Sequence, residues 1–147
     1  METSYNGWTA SKKPADFGGL AKIVIREKSY APGVRKGDVH VVFTHLFTDI
    51  DRDIEPIDEG HPADDWGYSY RQNRNANNLS CHSSGTAADH NATQHPNGKR
   101  GTFTPEQANA IRTLLKTKYR GLVRWGGDFT GTPDEMHFVI IGTSGQI

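Results

Sequence analysis

Apolar side chains recur at Val39, Val42, Phe43, Leu46 and Ile50, spacings that line one face of a helix, so residues 38–54 are predicted to form an amphipathic helix. A second helix is marked by its start: Thr104 as cap, Pro105 at the first helical position and Gln107 placed to close a capping box. Its core face would be Ala108, Ile111, Leu114 and Leu115. Short apolar runs without helical spacing predict strands at residues 23–25, 122–125 and 138–141, and residues 66–71 are expected to extend as one more. Residues 1–19 read as an arm anchored by Trp8 and Phe17, residues 55–65 as an acidic loop, 73–79 as a polar stretch and 91–101 as a loop near the site. The fold class is therefore α+β, a small antiparallel β-sheet flanked by helices.

Length adds that one domain over residues 1–147 can bury a core, and no second hydrophobic block, repeat or linker is visible. The formal net charge of +0 carries no basic stripe of the kind a nucleic-acid binder needs. No apolar run approaches the ~20 residues of a membrane span. The first residues lack the apolar centre of a signal peptide, so synthesis in the cytoplasm is expected, and the chain is expected to be a monomer. Cys81 is the sole cysteine, which excludes an internal disulfide, and it is expected to pack as a small apolar residue.

Candidate chemistry concentrates in two stretches, Ser80-Cys81-His82-Ser83-Ser84-Gly85-Thr86-Ala87-Ala88-Asp89 and Asp134-Glu135-Met136-His137-Phe138. Two imidazoles, a carboxylate and a spare acid are the parts of a catalytic zinc site. Three protein ligands leave the fourth position to water, and a nearby acid can take that water's proton. His82 and Asp89 stand an odd number of residues apart, which in one regular strand would send them to opposite faces. The chain must turn between them, at Ser83, Ser84 and Gly85. Asp134 and His137 converge on one centre in a tight turn, whereas an extended segment puts Glu135 on the face of His137. From geometry the base is open between these two acids.

The pattern Ser80-x-His82-x-x-Gly85-x-Ala87-x-Asp89, then Trp125-Gly126-Gly127-Asp128, then Asp134-x-x-His137-Phe138, resembles the VanY-like zinc peptidases. These include D-alanyl-D-alanine carboxypeptidases and L-alanyl-D-glutamate endopeptidases, and the likeness is strong to peptidase domains of endolysins from phages of actinobacteria. It covers residues 66–141. The resemblance implies a hedgehog/DD-peptidase-like fold, one Zn2+ per chain held by His82, Asp89 and His137, and Asp134 as the base. It also implies an arginine upstream of the first histidine that holds or polarises the substrate carbonyl: Arg71, with Arg74 as the alternative. Met136 departs from relatives that carry an aromatic, proline or further histidine there, which bears on the shape of a subsite.

The activity so implied is hydrolysis of the stem peptide of bacterial peptidoglycan, as an L-alanyl-D-glutamate endopeptidase, with D-alanyl-D-alanine carboxypeptidase as runner-up. Zinc would bring the pKa of its water towards ~7, Asp134 would accept the proton and pass it to the leaving amine, and Arg71 would stabilise the tetrahedral intermediate or anchor a carboxylate. An inactive wall-binding or virion structural module is the alternative of another class. A structural zinc site usually closes its fourth position with Cys or His, which favours the enzyme. No wall-binding domain is visible, and holin-type release or delivery in a virion would bring the chain to the wall.

Around this centre, Trp125 and Asp128 read as a wall of the site, with Asp128 orienting a ligand histidine. His95 is expected to line the cleft. His40 and His45, about 140° apart around a helix, cannot share one ion; His61 sits in the acidic loop, and His90 points away from Asp89. The run Asp49, Asp51, Asp53, Glu55 does not make an EF-hand, which would need Gly where Ile54 stands and Glu where Gly60 stands. A solvated helix end and loop is expected instead.

Overall fold

The computed structural model describes residues 2–73 and 78–147. A short ribbon, β1 (Glu2–Thr3) with β2 (Thr9–Ala10), leads through a 3-10 turn at Pro14–Phe17 into an antiparallel hairpin of β3 (Leu20–Ile25) and β4 (Lys28–Arg35). Then come α1 (Asp38–Asp53), β5 (Ala87–Asp89), α2 (Pro105–Thr117), β6 (Val123–Trp125) and β7 (His137–Ile140). Among the described residues the protein is thus an α+β assembly of two helices and small antiparallel sheets.

Both helices lie where the sequence pattern puts them. The cap of α2 is complete: Thr104 Oγ1 accepts from the Gln107 amide at 3.1 Å, and Gln107 Oε1 accepts from the Thr104 amide at 2.9 Å. β4 is the element that the pattern concealed. Pro32 and Gly33 interrupt it, and the turn before it is made by Arg26 and Glu27 at φ +50° and +67°, a left-handed geometry usually signalled by Asn-Gly.

The core lies between the hairpin, the two helices and one face of the sheet carrying β7. Ile23, Tyr30 and Val34 of the hairpin meet Phe43, Leu46, Phe47 and Ile50 of α1, with Ile111 of α2 and Phe138 of β7 closing it. Phe47 is central, stacked on Tyr30 at 4.4 Å and edge-on to Phe138 at 5.5 Å. Each such buried side chain contributes about 1.5–3 kcal/mol.

Residues 66–71, expected as a strand, run extended without forming a regular one. Trp66 bridges Ala31 on one side and Asp89 on the other, so this segment ties the hairpin to β5. Gly67 makes the tie possible: a Cβ there would lie 2.1 Å from the carbonyl oxygen of Gly33. Trp8 and Phe17 meet the hairpin through the Arg35 guanidinium, which lies over both rings at 5.0 and 4.6 Å.

The acidic run at the end of α1 departs from the expected solvated end. Asp49 is buried and accepts from Tyr119 Oη at 2.6 Å and Lys118 Nζ at 2.7 Å, latching α1 to the residues after α2. Asp51 pairs with Arg26 at 2.7 Å, and Glu55 accepts from Asn91 at 2.7 Å. These acids are structural because donors from distant segments reach them.

Candidate metal centre and cleft

The three-stranded sheet has the order β5-β7-β6, and in its register Asp89 stands directly opposite His137. Cross-strand partners have Cβ atoms about 4.5–5.5 Å apart, which brings carboxylate and imidazole together without help from any loop. His82 arrives from the 3-10 turn Cys81–Ser84, whose start is fixed by the Ser80 hydroxyl accepting from the His82 amide at 3.2 Å and whose end is Gly85 in the left-handed region. That turn resolves the odd offset between His82 and Asp89.

Asp89 Oδ1 lies 3.3 Å from His82 Nε2 and 3.1 Å from His137 Nδ1, and one ligand atom from each residue falls within 4.8 Å of the others. Burial pushes the Asp89 carboxyl up, but the two imidazoles, His82 first, outweigh it and hold the group well below the usual carboxylate range. His82 Nδ1 faces the Gly67 carbonyl at 2.7 Å. A carbonyl only accepts, so Nδ1 carries a proton, and Nε2 is the ring nitrogen directed at Asp89. That Nε2 is buried and has no hydrogen-bond partner among the described residues.

This donor set fits zinc. Ligands at about 2.0–2.1 Å in a tetrahedron stand roughly 3.3 Å from one another, close to the separations observed, and two nitrogens with one carboxylate are a common catalytic set.

Beside the three residues opens a cleft of about 570 Å3, lined among others by Asp134, His137, Arg71, Arg124, Phe129 and Tyr5. Asp134 is held by a turn in which its amide donates to the Gly126 carbonyl at 2.9 Å and its carbonyl accepts from the His137 amide at 3.0 Å. Gly126 must lack a side chain for this, since a Cβ would come within 2.2 Å of the Asp134 oxygen. The next acid diverges. Glu135 is buried and accepts from the amides of Gly101, Thr102 and Phe103 and from the Thr102 hydroxyl, so it braces that loop instead of facing the cleft.

Three expected neighbours lie elsewhere. Asp128 is exposed and accepts from Arg112 Nε at 2.8 Å; the group that orients His82 is the Gly67 carbonyl. Trp125 is buried in the core and donates from Nε1 to the Glu135 carbonyl at 2.8 Å, supporting the turn from behind. His95 is buried against Phe103 at 3.7 Å, with its two ring nitrogens 2.7 Å from Glu55 and Thr102, because the loop that carries it folds inward. Arg74 lies outside the described residues. His90 faces away from Asp89 and meets the Tyr30 hydroxyl at 2.8 Å. Cys81 packs with Ala87 and Val139, and burial pushes its thiol up to about 11.

Reading the sequence missed the Gly67 carbonyl, which as a main-chain group has no side-chain signature. It also missed Arg124, although the alternation of Val123 and Trp125 inward would have turned Arg124 outward to the cleft side.

A histidine–aspartate–histidine cluster at the edge of a small sheet, opening on a cleft with its own acid and arginine, has the parts of a metal-dependent hydrolase. Residues 73–140 match the sequence profile of a family described as D-alanyl-D-alanine carboxypeptidase. The match supports a peptidase, and the matched stretch contains His82, Asp89, Asp134 and His137. Comparison with curated proteins gave no match, nor did comparison with solved structures.

Proposed function

We propose that this chain is a zinc-dependent peptidase that hydrolyses the stem peptide of bacterial peptidoglycan, cutting the L-alanyl-D-glutamate bond. The observation that carries the reading is the convergence of His82, Asp89 and His137 beside Asp134 and Arg71 at one open cleft. When bound by the two imidazoles and the Asp89 carboxylate, zinc would supply Lewis acidity and an activated water. Asp134 takes the proton from the attacking water and gives it to the leaving nitrogen. Arg71 and Arg124 offer planar donor forks to the developing oxyanion or to a substrate carboxylate. The Gly67 carbonyl keeps the proton of His82 on Nδ1, which leaves Nε2 free to ligate.

Cleavage of terminal D-alanyl-D-alanine is the second reading, favoured by the description of the matched family and by two arginines suited to a free C-terminal carboxylate. An endolysin-like role, with the monomeric chain reaching the wall by holin-type release or from a virion, belongs to the first. Metal content by mass spectrometry, on wild type and His82→Ala, tests the centre; fragments released from purified wall, identified by mass, test the bond. One zinc lost with the imidazole and new amino-terminal D-glutamate support the proposal. Free D-alanine alone would select the carboxypeptidase. Zinc without release of any fragment would point to an inactive wall-binding module.

A further inference from the structure

A second group of acids lies on the loop after α1, behind the strand that carries Asp89. Ligand atoms of Asp58, His61 and Asp64 fall within 4.8 Å of one another, and Asp65 adjoins them. The three carboxylates are almost fully buried, Asp58 at 6 %, Asp64 at 3 % and Asp65 at 2 % exposure. Two of their six oxygens are met from one side. Asp64 Oδ2 accepts from the Thr93 amide and hydroxyl at 2.7 and 2.5 Å, and Asp65 Oδ1 accepts from the Asn91 amide at 2.7 Å. The remaining oxygens, both of Asp58, Oδ1 of Asp64 and Oδ2 of Asp65, are buried and receive no hydrogen bond from outside the cluster among the described residues; Asp58 meets only the carboxyls of Asp64 and Asp65 through its oxygens.

Buried carboxylate oxygens without donors are strongly unfavourable unless a cation satisfies them. We propose that Asp58, Asp64 and Asp65 bind a divalent cation of the calcium class, with His61 at the rim. The oxygens of Asp58 and Asp64, with Asp65 beside them, are hard donors of the kind calcium takes, six to eight at about 2.3–2.6 Å with bidentate acids accepted. Zinc, which prefers nitrogen and sulfur, suits the His82 centre better than this one. His61 Nδ1 stands 3.4 Å from Asp64 Oδ1 and is partly exposed, so it guards the opening. Burial, and then Asp58, push the Asp65 carboxyl up to about 8, as expected of acids crowded without a counter-charge.

The place of this site gives it a task. The Asp65 carbonyl accepts from Ala31 of the hairpin, Trp66 bridges to Asp89, and Asn91 binds Asp65 from two residues beyond Asp89. A cation here clamps the loop to the segment flanking a ligand of the catalytic centre. The proposal does not depend on what that centre does.

The test is calorimetric titration of calcium into the zinc-loaded full chain, beside the isosteric variant Asp58→Asn/Asp65→Asn, with thermal melts and zinc content on the same samples. One calcium per chain is expected. The thermal midpoint should rise by about 5–10 °C with calcium at a hundred times its dissociation constant. Both effects should vanish in the variant, which keeps its zinc and, freed of repulsion, melts no lower than calcium-free wild type. Absence of calcium binding at millimolar concentration, binding that persists in the variant, or a cluster filled by zinc in preference to calcium would overturn the proposal. Loss of zinc from His82→Ala bears only on the catalytic centre, so failure of either assignment is separately visible.

Discussion

The imidazole of His82 and the main-chain carbonyl of Gly67 are joined by a 2.7 Å hydrogen bond across 15 residues of chain, and Gly67 in turn packs on the carbonyl of Gly33. Orientation of a candidate ligand is therefore set by the seam between the hairpin and the segment beside it. Gly67→Ala inserts a methyl 2.1 Å from a backbone oxygen that cannot move aside alone. Zinc affinity should fall about 10–100-fold, the usual effect of losing the group behind a ligating histidine. Competition against a chromophoric chelator measures it, and unchanged affinity would show that the carbonyl does not orient His82.

Asp134 and Glu135 are adjacent acids with opposite surroundings, and their variants should separate cleanly. Asp134→Asn is expected to lower turnover by about 10²–10⁴-fold while zinc content and melting stay near wild type. Glu135→Ala strands the amides of residues 101–103 and should cost on the order of 3 kcal/mol in urea unfolding. The reverse pattern would move the base to Glu135.

Tyr119 supplies a hydroxyl to buried Asp49 at 2.6 Å. A hydrogen bond to a charged acceptor is worth about 1.5–3 kcal/mol, so Tyr119→Phe should lower stability by about 2 kcal/mol. The Asp49→Asn/Tyr119→Phe double variant should lose less than the sum of the two single changes, because one contact is shared. Additive losses would mean that the latch is not a unit.

In the calcium-free chain, Asp65 keeps its proton up to about 8 when folded, against an ordinary 3.8. The folded state then holds a proton that the unfolded chain has released, so stability from this group declines as pH rises between those values. Urea midpoints at about pH 5 and about pH 8 should lie closer together in Asp65→Asn than in wild type. Saturating calcium should have the same effect on wild type. An unaltered gap in Asp65→Asn would remove Asp65 from the pH response.

What the sequence made legible was local or strictly periodic. The stripe of α1, the capping box of α2 and the apolar runs of β6 and β7 depend on neighbours within a turn or two. β4 was hidden because its turn uses Arg26 and Glu27 and its middle holds Pro32 and Gly33. The partners of the acids were hidden for another reason. Arg112 takes Asp128, Lys118 and Tyr119 take Asp49, and Gly101 to Phe103 take Glu135, all across distances in sequence that no spacing rule reaches. The inward fold of residues 55–65 likewise rests on Asn91 and Thr93. Acidic composition points to water until those donors are in view.

β7 is the central strand of its sheet yet follows both of its partner strands in the chain. Until His137 to Ile140 have left the ribosome, β5 and β6 lack the strand that joins them and Asp89 has no imidazole across from it. Any nascent or shortened chain that ends before this strand lacks the middle of the sheet and one corner of the metal centre together. The candidate metal centre can therefore be completed only once translation has passed this point, so its three ligands do not come together on a half-built sheet.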